Sequence, residues 1–172
     1  ILSGLVGSEM CIRDRYVGEL GWEIHAPMES LSALYAAISA AGQPHGIADF
    51  GAQALNSLRM EKGYRGYGSE LTNEITLIEA DCTRFYAPGK GNFRGRAATE
   101  TVRTNGVTTQ LVYGEVGATN CDIYGGEAVM QGNDVVGVCT SGAFGHATGK
   151  SLAFAYAVSY THLRAHETRE DL

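Results

Sequence analysis

The feature that most limits what this chain can fold into is that its two ends encode one another. Leu5 to Asp14 can be written by the DNA string CTC GTG GGC TCG GAG ATG TGT ATA AGA GAC, and the opposite strand of that string, read in frame, gives Val158 to Glu167. A run of 10 residues satisfied by one string on both strands is very hard to obtain by chance. Both ends therefore read as translated adapter DNA. The competing picture, with Arg13, Arg15 and Arg164 on solvated helices and His162 and His166 as metal ligands at i, i+4 spacing, is set aside. Scars of this kind are removed before fold is considered. Residues 1–15 and 158–172 are thus assigned to non-native sequence, and the folding unit lies between Tyr16 and Tyr156. No selection matched the apolar residues of the tails to a core, so neither tail is expected to pack consistently against the rest.

Between those limits nine Lys or Arg stand against fourteen Asp or Glu, in a chain of net charge −6, without a basic run longer than a scattered pair. That balance argues against nucleic acid as a partner. No apolar stretch approaches the roughly 20 residues of a membrane helix, so no membrane partner is expected. Cys82, Cys121 and Cys139 remain after trimming, at spacings of neither a zinc ribbon nor a disulfide framework. They read as reduced structural cysteines of a cytoplasmic protein, with no metal site.

Gly21 to Ala26 alternates Trp22, Ile24 and Ala26 against Glu23 and His25, the period of a strand with one buried face. After Pro27, Leu31, Leu34, Tyr35 and Ile38 recur at helical spacing within Glu29 to Ala41, and Gly42 is the expected C-terminal cap. A second helix is expected from an Asp49 N-cap to Gly63, with Leu55 and Leu58 near one face with Phe50. Tyr64 to Ala80 is polar and glycine-spaced, an ordered loop with a turn near Leu77 to Asp81. Thr83 to Tyr86 reads as a short strand. From Val107 the texture becomes β-rich: Thr108 to Val116, Glu127 to Met130, Val135 to Thr140 and Leu152 to Tyr156, the pattern of a small antiparallel barrel or sandwich. The boundary falls near Gly95 to Thr104.

Four stretches carry chemistry. In Tyr16 to His25, Glu19 and Glu23 offer carboxylates beside two glycines. A carboxylate accepts two parallel N–H donors, and the amino-pyrimidinone edge of a pterin or guanine presents that fork. On residue chemistry alone, Glu23 reads more readily as a solvated strand residue. Arg59, Glu61 and Lys62 offer charges for steering an anion, although an i, i+3 group is usually a solvated helix face. Lys90 to Arg96 lacks P-loop spacing and reads as an interdomain turn. Ser141, His146 and Lys150 have no acid partner or elbow motif, so Thr140 to Ser151 reads as a β-hairpin loop rather than a nucleophile's setting.

Taken in order, Gly18-Glu-Leu-Gly-Trp-Glu23, Ala54-Leu-Asn-Ser-Leu-Arg-Met-Glu-Lys-Gly-Tyr-Arg65, Leu77-Ile-Glu-Ala80, Asn92-Phe-Arg-Gly95 and Gly149-Lys-Ser-Leu-Ala-Phe-Ala-Tyr156 resemble the C-terminal half of glycine-cleavage T-protein (aminomethyltransferase) domains. The variant fused to dimethylglycine and sarcosine dehydrogenases is the most similar. The resemblance implies an α+β fold: a partial T-protein-like folate-binding lobe over 16–94, then a small antiparallel β-barrel domain over 95–157. It implies a tetrahydrofolate site in which Glu23 holds the pterin beside Ile24 and His25, and Tyr16 contacts the folate. Arg84 is assigned to the same folate site, where dehydrogenase-linked relatives more often carry Tyr, and Leu55 stands where stand-alone aminomethyltransferases carry a folate-contacting Arg. Both departures favour the dehydrogenase-linked branch, in which folate traps the carbon released from an N-methyl amine and FAD sits in a separate domain. The family's catalytic Asp is expected in an N-terminal half outside this chain, so the fragment alone is expected to be inactive. The alternatives are a stand-alone glycine cleavage aminomethyltransferase, a demethylase, and a non-catalytic folate-binding regulator of the same fold.

Overall fold

The computed structural model describes residues 10–118 and 121–158. A two-stranded antiparallel sheet pairs β1 (Met10–Asp14) with β2 (Gly21–His25), followed by α1 (Met28–Gly42) and α2 (Ala52–Glu61). A long loop leads to α3 (Arg96–Asn105) and then to β3 (Thr109–Val116), β4 (Ala128–Gln131), β5 (Asp134–Gly145) and β6 (Lys150–Val158). The last four form one antiparallel sheet in the order β3-β6-β5-β4. The architecture is α+β, as the sequence implied.

The core lies where α2 crosses this sheet. Phe154, Met60, Leu111 and Leu152 form its buried cluster, with Ala143 and Tyr156 packed against it. Alternation along β6 puts Leu152, Phe154 and Tyr156 on the α2 face and leaves Ser151, Ala153, Ala155 and Ala157 for the other. Ser57 is small enough to bring α2 close to β5. Its hydroxyl donates to the Phe144 carbonyl at 2.7 Å, and Asn56 Nδ2 donates to the Gly142 carbonyl at 3.0 Å. The helix thus hangs on β5 by two side chains. The buried residues of α2 are Ser57, Arg59 and Met60 rather than the expected Leu55 and Leu58 face; Leu58 is exposed, as is Phe50. Hydrogen bonding to strand carbonyls, not hydrophobic spacing, sets the helix's rotation.

Several expected element ends shift. α1 runs through Gly42 and a 3₁₀ turn (Gln43–His45), and the left-handed residue that stops it is Gly46 at φ 73°. Gly42 serves a different need: a Cβ there would lie 2.6 Å from that of Ile47, which folds back on the helix end. Asp49 is not the cap of α2. Gly51 takes that position, while the Asp49 carboxylate accepts the Tyr35 hydroxyl at 2.7 Å. Thr83 to Tyr86 is no strand but a 3₁₀ turn (Thr83–Phe85), because the amides of Phe85 and Tyr86 bond back to Cys82 and Thr83 and no strand among the described residues pairs with them. β5 extends five residues past the expected Thr140, pairing with β6 as far as Gly145↔Lys150.

The largest departure concerns β2. Trp22 is 47% exposed and Ile24 39%, where alternation called for burial. No helix among the described residues packs closely on this sheet, and α1 likewise buries no residue. An amphipathic pattern states that a face wants cover; it does not supply the cover. Conversely, Met10–Asp14, expected to pack nowhere, pairs with β2 over five residues from Met10↔His25 to Asp14↔Gly21. The open edge of β2 explains this, since unpaired N–H and C=O groups accept any extended segment regardless of side chains. Ile12 stays 40% exposed, so the pairing brings it into no core. Val158 ends β6 opposite Thr109. Residues 1–9 and 159–172, including His162, Leu163 and His166, lie outside the described residues.

Candidate functional site

Two of the residues singled out from sequence meet in one place. Tyr16, leaving β1, and Arg84, on the 3₁₀ turn, line a cleft of about 350 Å³ together with Tyr64, Arg65, Leu71, Cys82 and Phe85. Its lining is aromatic and cationic. The Arg84 guanidinium lies 4.8 Å from the centre of the Phe85 ring and has no ion-pair partner among the described residues. Arg65 is fixed instead: it donates to the Ala80 carbonyl at 2.8 Å and to the Asp81 carboxylate at 2.7 Å.

Glu23, Ile24 and His25 are not part of that lining. They lie along β2, where Glu23 contacts His25 at 3.5 Å with both side chains more than half exposed. Neither Arg59 nor Lys62 closes on Glu23. Among the described residues, the Glu23 carboxylate is touched by His25 alone, through Oε2, and is otherwise exposed.

The most enclosed polar cluster was invisible in the sequence. Glu70 is fully buried, and its Oε2 accepts from the Gly66 amide at 2.7 Å and from Arg59 at 3.1 Å. Its Oε1 accepts the Thr140 hydroxyl at 2.7 Å and the Ser141 hydroxyl as well. Arg59 is completed by Asn56 Oδ1 and the Tyr64 carbonyl. Four donors on one carboxylate offset the cost of burying it. Thr140 and Ser141 are consecutive on β5, where alternation would send them to opposite faces. A β-bulge between Cys139 and Ser141 inserts the extra residue that lets both hydroxyls reach one oxygen. Arg59 is thus no anion-steering charge, and Ser141 is a buried donor rather than a nucleophile. Glu61 is likewise committed, accepting the Ala147 and Thr148 amides at 2.7 and 2.9 Å in the β5–β6 turn. The Lys62 stem packs on Gly18, where a Cβ would lie 2.4 Å from it.

Behind the cleft, the Tyr156 hydroxyl donates to the Glu70 carbonyl at 2.8 Å. Burial, then the Glu79 carboxylate, push its pKa up to about 12. Burial also raises the Cys139 thiol. All four cysteines are free, and no group of three or more His, Cys, Asp or Glu among the described residues is placed to hold a metal ion. No helix among them is long and apolar enough to cross a membrane.

An α+β lobe with an aromatic–guanidinium cleft is thus bolted to an antiparallel sheet through a buried carboxylate. The chain belongs to the glycine cleavage T-protein family: the GCVT N-terminal domain model matches residues 6–90, and the glycine cleavage T-protein C-terminal barrel domain model matches residues 110–169. It is 41% identical over 146 residues to the mitochondrial dimethylglycine dehydrogenase of Mus musculus, covering 84% of this chain and 17% of that protein. It is 35% identical over 148 residues to the mitochondrial sarcosine dehydrogenase of Homo sapiens, covering 84% and 16%. An aminomethyltransferase of Thermoanaerobacter pseudethanolicus is 33% identical over 143 residues, covering 83% and 39%. Among solved structures, the glycine cleavage system aminomethyltransferase T of Bartonella henselae superposes with a TM-score of 0.76 at 26% identity, over 88% of this chain and 42% of that one. The chain spans about a sixth of the dehydrogenases and about two fifths of the aminomethyltransferases it matches. One expectation is overturned. The dimethylglycine and sarcosine dehydrogenases among these relatives are mitochondrial, against the cytoplasmic reading of the cysteines.

Proposed function

We propose that this chain is part of a tetrahydrofolate-dependent one-carbon transfer domain belonging to an oxidoreductase of N-methyl amines, with dimethylglycine or sarcosine as the substrate class. The observation that carries the reading is the cleft that unites Tyr16 and Arg84, two residues assigned to folate from sequence alone. Higher identity to the dimethylglycine dehydrogenases than to the aminomethyltransferases favours the dehydrogenase-linked branch. FAD would belong to another domain of the whole protein.

The chemistry of the residues present supports a folate ligand. Glu23, exposed on β2 outside the cleft lining and touched by His25 through Oε2, offers its carboxylate to the paired N–H donors of an amino-pyrimidinone ring. The rings of Tyr16, Tyr64 and Phe85 offer apolar cover to a flat ligand, and Arg84 supplies an uncommitted cation for an anionic one. When bound, tetrahydrofolate supplies two amine nitrogens able to accept a one-carbon unit. The chain's own contribution is to bind and orient; the transfer itself requires groups from outside this chain, and alone the chain is expected to be inactive.

Trp22 is the only tryptophan and neighbours Glu23, so its fluorescence reports on that strand. Titration with tetrahydrofolate should quench it saturably. Glu23→Gln turns one acceptor into a donor facing a ring N–H, and affinity should fall by about tenfold or more. In the full-length protein the same substitution should leave amine oxidation at the flavin intact while free formaldehyde replaces the folate adduct. Absence of binding by the unaltered chain sinks the folate reading, and unchanged affinity in Glu23→Gln sinks the role of that carboxylate.

A further inference from the structure

Of the seven residues lining the cleft, Tyr64, Arg65, Leu71 and Cys82 come from the single loop between α2 and the 3₁₀ turn. That loop has almost no regular structure of its own, only an isolated bridge between Tyr67 and Leu71. Its order comes from elsewhere. The Gly66 amide donates to the Glu70 carboxylate, the amides of Glu70 and Leu71 return to the Gly66 carbonyl at 3.1 and 3.0 Å, and Arg59 holds the Tyr64 carbonyl at 3.0 Å. All but the Leu71 bond involve Glu70 or the arginine paired with it, and the later part of the loop is tied to β3 by the Leu111 amide, which donates to the Glu79 carbonyl at 2.7 Å. The sheet then grips Glu70 from the far side: Thr140 and Ser141 through the carboxylate, Tyr156 through the backbone carbonyl. Gly66 is the thin point between latch and cleft, since a Cβ there would lie 3.3 Å from the Tyr16 hydroxyl and 3.4 Å from Glu70 Oε2.

We propose that Glu70 is a positioning residue for the cleft: through its carboxylate the hydroxyls of Thr140 and Ser141 on the sheet hold the 64–82 loop in place, so that the affinity of the cleft is set from the barrel domain. The cost of the arrangement supports this. An apolar side chain would fill the same volume without four donors and a bulge, so packing alone does not call for a buried carboxylate. What the carboxylate adds is direction. It fixes a loop backbone to two named hydroxyls, and that loop carries most of the cleft wall. The role of the cleft in folate binding rests on the proposed function; the mechanical role of Glu70 does not.

Two measurements on the full chain separate the two ideas. Hydrogen exchange of the 64–82 segment, followed by mass spectrometry, should quicken by about tenfold or more in Glu70→Gln relative to β3 and β6 in the same sample. Thr140→Val, which keeps the shape and removes only the hydroxyl, should quicken the same segment by several-fold, and Thr140→Ser should restore it. Leu111→Ala is the control: it loosens the core without touching the latch, so its exchange should rise in the strands as much as in the loop. Tetrahydrofolate affinity should follow loop exchange, weakening about tenfold in Glu70→Gln and several-fold in Thr140→Val. The proposal is overturned if loop exchange in Thr140→Val matches the unaltered chain, or if the loop and strands loosen together in both latch variants as they do in Leu111→Ala. Should Glu70→Gln fail to fold, the Thr140 pair decides alone. If the unaltered chain binds no folate, the proposed function fails, and the exchange measurements still settle whether Glu70 holds the loop.

Discussion

Glu23 and Glu70 make an instructive pair. Each is a carboxylate in a short glycine-rich stretch. Glu23 is open, touched by His25 and otherwise facing water. Glu70 is sealed, with four donors drawn from α2, its own loop and β5. The difference is not in the residues beside them in sequence but in what arrives from afar. A carboxylate with spare acceptor capacity is available to a ligand; one whose lone pairs are all engaged is a fastener. The same contrast runs through the whole molecule, from the bare faces of β2 and α1 to the crowded junction of α2 with the sheet.

Substitutions on the two sides should therefore separate sharply. Phe154→Ala removes the largest fully buried side chain, with the Arg59 and Arg65 guanidinium groups on its ring at 5.9 and 5.8 Å. It should cost about 3–5 kcal/mol in urea unfolding, while Trp22→Ala costs less than about 1 kcal/mol. Comparable losses would mean that β2 is covered in solution. Arg59→Met leaves the Glu70 carboxylate without its cation and should cost about 3 kcal/mol, against about 0.5 kcal/mol or less for Glu23→Gln. An Arg59→Met protein as stable as the original would show that the hydroxyls alone neutralise the site. Gly42→Ala drives a methyl into Ile47 and should lower stability by about 1–3 kcal/mol.

The smallest effect tests the far side of the latch. Tyr156 titrates at about 12 in the fold against 10.0 unperturbed, so the folded chain keeps this proton after the unfolded chain has lost it. The stability tied to it is complete below pH 10 and falls as pH rises from 10 through about 12. Tyr156→Phe should cost about 1 kcal/mol at neutral pH by losing the bond to the Glu70 carbonyl. It should also flatten the alkaline limb of a stability–pH curve. An unchanged limb would show that Tyr156 does not carry it and turn attention to the other raised groups, among them Tyr113 and Cys139, both raised first by burial.

Local elements were legible because their causes are local. Leu31, Leu34, Tyr35 and Ile38 announce α1, and the alternation of Trp22 to His25 announces β2, whatever lies beyond them. The β-rich second half was equally clear from its spacing. The junction was not. An i, i+3 charge group such as Arg59 with Lys62 looks the same on a solvated helix and on one pressed against a sheet. What decides for Arg59 is Glu70, eleven residues later, and what decides for Glu70 is Thr140 and Ser141, about seventy residues further on. A bulge that turns two neighbouring hydroxyls together leaves no mark in a pattern of apolar and polar letters. Thr83 to Tyr86 failed for a related reason: β propensity without an edge to join closes into a turn.

The bulge also means that β5 counts differently on its two sides. On the side of β6 that carries Leu152, Phe154 and Tyr156, the partners in β5 are even-numbered before the bulge, as in Val138↔Tyr156, and odd-numbered after it, as in Ser141↔Phe154 and Ala143↔Leu152. Deleting Thr140 would tidy the ladder into an unbroken run of the same pairs, each side chain keeping its face, and would take one of the four donors from Glu70. The irregularity is a phase mark, and a chain that lost it would be better paired and one hydroxyl poorer at its buried carboxylate.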